Sequence, residues 1–315
     1  MSGPPLLAVE DLSVDFRVGE ARLRAVDSVS LELRAGETLA LVGESGCGKS
    51  TLARAIGGLV RVRHGSVRLA GSELVGLSRR AWKPIRRRVQ MVFQDPDASL
   101  NPRMNAAALI GEPMLVHRRL RGRELDREVC KLMERVGLDP TLRTHFPHAF
   151  SGGQRQRIGI ARALAVEPEL LLCDEVTSAL DVSIQAQILE LLRELQRQLG
   201  IAILFITHDL AVVRHLADRV AVMYLGQIVE TASAEALFAG AGHPYSEALL
   251  AAVPRVDGPP IAAAADRSDE VPSPLAPPPG CRFHPRCALA LERCTREAPG
   301  EYPIATGRAR CFLRA

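Results

Sequence analysis

Nine consecutive residues, Gly43, Glu44, Ser45, Gly46, Cys47, Gly48, Lys49, Ser50 and Thr51, follow directly on the apolar run Thr38-Leu39-Ala40-Leu41-Val42. Glycines at this spacing let successive backbone N–H groups turn inward on an anion, and a helix that begins at the lysine points its positive end at the same place. The pattern is that of a phosphate-binding loop for a nucleoside triphosphate with Mg2+. Lys49 reaches the β and γ oxygens, and Ser50 is placed to ligand the metal. The match is specific because lysine is rare: of 40 basic residues only Lys49, Lys83 and Lys131 are lysine.

Other residues complete a reaction. Leu170-Leu171-Leu172-Cys173-Asp174-Glu175 is an apolar strand ending in two acids. Asp174 is expected at the carboxyl edge of a sheet, where it holds magnesium through water. Glu175 is expected toward the γ-phosphate, as the general base for an attacking water. His208 follows another apolar run and emerges at the same edge, within reach of the γ-phosphate. Gln94 ends the strand-like run Val89-Gln90-Met91-Val92-Phe93, so its amide can approach magnesium and the lytic water. A second glycine-rich turn, Ser151-Gly152-Gly153-Gln154, opens a further helix. The first constellation already surrounds one side of a triphosphate, so this turn is expected to serve the nucleotide of a partner chain in a head-to-tail dimer.

The elements that must position these groups read as an α/β chain. Residues 5–42 read as short strands, residues 51–60 as the helix after the loop, and roughly 97–165 as a helical insertion. Continuous apolar runs at 170–173 and 201–206, separated by a helical segment at 183–199, are of buried parallel-strand type and imply a wound core. After about residue 253 the composition shifts to Pro, Ala and Gly. The expected domains are an ATPase domain at 1–240, a Pro/Ala-rich linker at 241–280 and a four-cysteine motif at 281–315. No apolar stretch reaches the ~18 to 20 residues that cross a bilayer, and no signal peptide is visible, so the chain is expected to stay in the cytosol. A net charge of +4, with arginines scattered among acids, gives only weak support to nucleic acid as a partner, and none is expected.

Taken together, the phosphate loop, Gln94, Ser151 to Arg157, Asp174-Glu175, Ser178-Ala179-Leu180-Asp181 and His208 resemble the ATP-binding-cassette ATPases over roughly residues 5–240. The resemblance implies a P-loop NTPase fold with an antiparallel β subdomain and a helical subdomain. It also implies an ATP sandwich between two subunits, in which Ser151, Gly152, Gly153, Gln154 and Asp181 contribute to nucleotide binding. Phe16 resembles the aromatic that stacks on adenine. Phe150 stands where Leu is usual and Val176 where Pro is commonest, and neither change removes a phosphate contact. The runs Phe93 to Met104, Asp181 to Leu189 and Gly242-His243-Pro244-Tyr245-Ser246 resemble the ATP-binding subunits of bacterial oligopeptide and dipeptide importers, and Ile184-Gln185-Ala186-Gln187 is more like the second of their two ATPases. That family implies a peripheral protein on the cytoplasmic face of the inner membrane, paired with a different ATPase beneath two permease chains and supplied by a substrate-binding protein. Nickel and other small solutes use related importers. The rival class is a cassette ATPase acting on nucleic acid or ribosomes, against which stand the single cassette and the lack of a long basic stretch.

Cys281, Cys287, Cys294 and Cys311 are separated by five, six and sixteen residues. Four thiolates can hold a [4Fe-4S] cluster or Zn2+, and the tight pairs usual for zinc are absent. The motif Gly280 to Cys287 resembles the tail of the peptide-importer ATPases, where a four-cysteine cluster is plausible. The alternatives are iron–sulfur, zinc or no metal.

Overall fold

A computed structural model describes residues 3–178, 180–252, 272–305 and 307–315. They fall into two compact units, one of residues 1–33, 38–76 and 207–315, the other of residues 34–37 and 77–206.

The first unit holds the phosphate loop on two layers of strands. Its antiparallel sheet runs in the order Ala21–Leu33, Leu7–Val18, His64–Leu69, Ser72–Glu73. The register Leu7↔Leu33, Val9↔Leu31 and Leu12↔Val29 sends one set of apolar side chains inward, and all six of these residues are buried. Thr38–Val42 pairs in parallel with Arg219–Tyr224, which turns back through Leu225-Gly226 into Gln227–Ser233. The tail adds two strands: Gly307–Ala309 pairs with Gln227–Ser233, and Tyr302–Ile304 with Gly307–Ala309. Phe283 and Cys287 of the tail lie in the same apolar cluster as Val42, Val222, Tyr224 and Tyr245. The tail is therefore part of this core. Within the expected linker, Pro244–Ala251 forms a helix with Tyr245 buried, because an apolar ring inside the cluster outweighs the breaker composition around it. The remainder of the Pro-rich stretch, 253–271, lies outside the described residues.

The second unit is a parallel α/β arrangement. Val89–Val92, Leu170–Asp174 and Ala202–Thr207 pair in parallel with Val89↔Leu170 and Asp174↔Ile206 in register, and the last two strands are buried throughout. Both faces of such strands are covered, which is why they read as unbroken apolar runs. Helix Val182–Leu199 buries Ile188, Leu191, Leu192 and Leu195, begins on the Asp181 side chain and ends at Gly200 in the left-handed region (φ 64°). The helical insertion consists of Ala106–Pro113, Met114–Arg118, Gly122–Arg135 and Gly152–Leu164.

Candidate active site

The phosphate loop is shaped by two glycines. Gly43 and Gly48 take φ values of 152° and 109°. A Cβ on Gly43 would collide with the Met223 carbonyl oxygen, and one on Gly48 with the Ala25 carbonyl oxygen. Only glycine allows both the turn and the close approach. Helix Lys49–Ile56 starts from Gly48 with no side-chain cap, so its first N–H groups face the loop in the manner of an anion site. Lys49 is buried, and its Nζ donates to the carbonyls of Gly43 and Glu44, 2.8 Å each. Ser45 and Gly46 form the exposed tip, whereas Cys47 is buried, with its thiol pushed up by desolvation against the opposing pull of Lys49. Ser50 and Thr51 occupy the first turn of the helix.

Two further residues of this unit were expected at the site. Phe16 is 38% exposed on its strand and lines a cavity of about 630 Å³ with Asp15, Arg17, Arg22, Arg61 and Arg63. Asp15 accepts from Arg63 at 2.8 Å and Arg24 at 3.3 Å. His208 is exposed, directly after Ala202–Thr207 and before helix Leu210–Leu216, which the Asp209 carboxylate caps.

In the second unit Asp174 closes its strand and is 1% exposed. Glu175 comes next with φ 48°, an uncommon conformation for a residue with a Cβ and one that recurs where function holds the backbone in place. Gln94 Nε2 donates to Glu175 Oε2 at 2.9 Å, so the structure brings these two candidates together. Ser151 caps helix Gly152–Leu164 in a reciprocal box: its Oγ accepts from Gln154 N–H at 3.3 Å, and Gln154 Oε1 accepts from Ser151 N–H at 2.9 Å. Gly153 is packed so tightly that a Cβ would strike Ile184. Asp181 accepts from Ile184 N–H at 3.0 Å and Ser183 Oγ at 2.7 Å, bonds that hold its carboxyl below the usual range. Its visible job is to start a helix.

Comparison with known proteins now decides the family. Residues 26–178 match the ABC transporter family and residues 229–294 the oligopeptide/dipeptide transporter C-terminal region. The oligopeptide transport ATP-binding protein OppF of Escherichia coli (strain K12) is 48% identical over 307 residues, covering 93% of this chain and 92% of that one. The chain belongs to the ABC transporter ATP-binding proteins. The di/tripeptide transport ATP-binding protein DppF of Pseudomonas aeruginosa (strain UCBPP-PA14) is 49% identical over 300 residues, 93% of each chain. Among solved structures, the ATP-binding cassette MJ0796, a dimer in a post-hydrolysis state with ADP and Pi, superposes with a TM-score of 0.67 at 29% identity, covering 72% of this chain and 98% of that one.

As an ABC ATPase the protein uses a hard cation with its nucleotide, and Ser50 of the first unit and Asp174 and Gln94 of the second each carry the oxygen donor such a cation prefers. Among the described residues no group of three or more His, Cys, Asp or Glu side chains is placed to hold a metal ion, Cys281, Cys287, Cys294 and Cys311 included. Burial, with smaller contributions from the other three thiols, raises Cys281 to about 11, where thiolate is scarce. Two residues that the sequence offered only inside family-like runs, Gly242 to Ser246 and Gly280 to Cys287, touch the phosphate loop, a role sequence reasoning did not find. Tyr245 Oη accepts from Glu44 N–H at 3.0 Å, and Arg286 donates twice to the Glu44 carboxylate at 2.9 Å.

Proposed function

We propose that this chain is the ATP-hydrolysing subunit of a peptide importer, a peripheral protein at the cytoplasmic face of the cell membrane. The observation that carries the reading is the oligopeptide/dipeptide transporter region at residues 229–294, on a chain that also bears a phosphate loop. Relatives named for oligopeptide and di/tripeptide transport support the cargo class.

In this proposal Lys49 and the backbone N–H groups of residues 43–51, apart from that of Glu44, which Tyr245 holds, grip the β- and γ-phosphates, and Phe16 stacks on the base. Mg2+, held by Ser50, Asp174 and Gln94, would neutralise charge on the β and γ oxygens. Glu175 takes the proton from water as the oxygen attacks the γ-phosphorus and the bond to the β–γ bridging oxygen breaks, leaving ADP and phosphate, with Gln94 fixing the orientation of the Glu175 carboxylate. His208 donates to the γ-phosphate. Ser151, Gly152, Gly153, Gln154 and Asp181 serve the nucleotide of a second, different ATPase chain. The pair works beneath two permease chains supplied by a substrate-binding protein. The exposed Leu115 and Val116 of the helical insertion support a permease contact there.

An iron–sulfur or zinc group on Cys281, Cys287, Cys294 and Cys311 is the finer part of the proposal. Its support is that four thiols gather in one small tail, where Cys281 N–H donates to the Cys294 carbonyl at 2.9 Å; its requirement is a rearrangement of those thiols. Iron and zinc analysis of anaerobically purified protein tests it, and a chain free of both metals ends it.

The decisive experiment uses the assembled importer in proteoliposomes. Glu175→Gln should keep ATP binding, lower turnover at least ~100-fold and stop peptide uptake. Normal turnover would reject the base, and ATP-driven uptake of a different solute in place of peptides would reject the cargo.

A further inference from the structure

The exposed tip of the phosphate loop, Ser45-Gly46, stands between two anchored residues, and the carboxyl-terminal tail reaches the first directly and the second through the Leu225-Gly226 turn. On the Glu44 side every polar group is engaged. Its N–H donates to Tyr245 Oη, its carbonyl accepts from Lys49 Nζ at 2.8 Å, and its carboxylate receives both Nη groups of Arg286. On the other side the Cys47 carbonyl accepts from Gly226 N–H at 2.8 Å. Arg282 donates to the neighbouring Leu225 carbonyl and pairs with Asp27, whose own N–H bonds the Gly226 carbonyl at 2.8 Å.

The arginine from the tail is itself held in place. The Arg286 guanidinium lies over the rings of Tyr224 and Phe283, 5.8 and 5.7 Å from their centroids, and these rings pack on each other and on Tyr245. A planar fork stacked between aromatics and paired bidentately with a carboxylate has one orientation. The electrostatic consequence is specific. Glu44 sits in a loop whose ligand is strongly anionic, so its negative charge opposes binding unless a cation balances it. The buried Lys49 contacts only its carbonyl, whereas Arg286 meets its charge directly.

We propose that Arg286, reaching back from the tail, is a positioning residue for the phosphate loop, which it aligns and whose Glu44 charge it balances, so that affinity for a nucleoside triphosphate depends on the tail being docked. This rests on the reading of Gly43 to Thr51 as a triphosphate site. Arg282 assists by fixing the Leu225-Gly226 turn against the other end of the loop.

The test is equilibrium binding of a non-hydrolysable ATP analogue to the full-length protein, with steady-state ATPase kinetics beside it. Arg286→Ala should weaken binding by about tenfold and raise KM for ATP by a similar factor, with kcat at saturating ATP within about twofold of the wild type. Arg286→Lys, which keeps the charge and loses the fork, should fall between. Adding Glu44→Gln to Arg286→Ala should recover most of the lost affinity, because it removes the charge left unbalanced. A structural role alone would instead lower kcat with the folded fraction, leave KM unchanged and show no recovery in the double variant, and that pattern overturns the inference. So does unchanged affinity in Arg286→Ala. Lys49→Ala is the control on the underlying reading: if it binds the analogue as the wild type does, the triphosphate site itself is wrong, whatever the tail variants do.

Discussion

A single methyl group at Gly48 tests the phosphate loop more sharply than loss of any charge, because it leaves the chemistry of the loop intact. The Cβ would meet the Ala25 carbonyl oxygen and, at 2.9 Å, the Met223 side-chain methyl, on a backbone at φ 109°. Relief requires the loop to move away from the strand bearing Ala25, which turns the N–H groups of the first helical turn off the ligand. Gly48→Ala should therefore lower nucleotide affinity at least ~tenfold, as strain of about 1–3 kcal/mol at a bound backbone implies. Calorimetric titration with the ATP analogue measures it, and wild-type affinity would mean that the loop is looser than its contacts indicate. Residues whose type the motif itself fixes were legible in the sequence, as Gly43, Gly48 and Lys49 were, although the carbonyls of Met223 and Ala25 that crowd the two glycines lie far along the chain. Arg286 was not legible, because its carboxylate lies 242 positions away and no local pattern joins them. Asp181 was legible as a motif residue, yet its carboxylate is committed to Ile184 N–H and Ser183 Oγ, a capping role that the resemblance did not suggest.

Elements with their own periodicity were equally legible. The strand at 170–174, the helix at 182–199 and the strand at 202–207 lie within a residue or so of their expected limits, since burial on both faces or on one helical stripe marks them. The helix Pro244–Ala251 was hidden, being short and set in a stretch rich in breakers. Its start is fixed by His243, 1% exposed, whose Nδ1 accepts from Tyr245 N–H at 3.0 Å while the neighbouring Glu230 carboxylate takes the N–H groups of Gly242 and His243. That bond needs the neutral imidazole, and burial lowers its pKa from 6.5 to about 4. The unfolded chain therefore binds a proton between those values that the folded chain does not. The stability His243 confers is fully present above pH 6.5 and is lost as pH falls toward 4, by on the order of 3 kcal/mol across the window. Urea denaturation at intervals from neutral pH downward measures the slope. His243→Asn keeps an acceptor for Tyr245 N–H and should flatten that part of the curve; an identical slope in the variant would place the proton elsewhere.

At the scale of the whole molecule, one chain carries two helix N-termini suited to an anion. The first follows Gly48 with no side-chain cap, and the second follows Ser151, whose hydroxyl and backbone are exposed although joined to Gln154. In the proposed ATP sandwich each bound triphosphate uses one N-terminus of each kind, the second supplied by a partner chain. The surface near the second agrees with a site that is covered during turnover, because Val182 beside Asp181 is 83% exposed, unusual for an apolar side chain of this size. The solved cassette MJ0796 is a dimer in a post-hydrolysis state. Closure should then be driven by unhydrolysed ATP and reversed by its cleavage. Co-expressed with the partner ATPase proposed for it, the Glu175→Gln chain should elute as a pair in Mg-ATP and as separate chains in Mg-ADP, as measured by light scattering on a sizing column. Ser151→Arg on the same chain places a long side chain where the partner's γ-phosphate must approach. It should abolish the ATP-dependent pair while leaving ATP affinity of the isolated chain, set by its own phosphate loop, within about twofold. If Ser151→Arg pairs as well as its parent, the second glycine-rich turn serves something other than a neighbour's nucleotide, and the two-chain mechanism loses its structural basis.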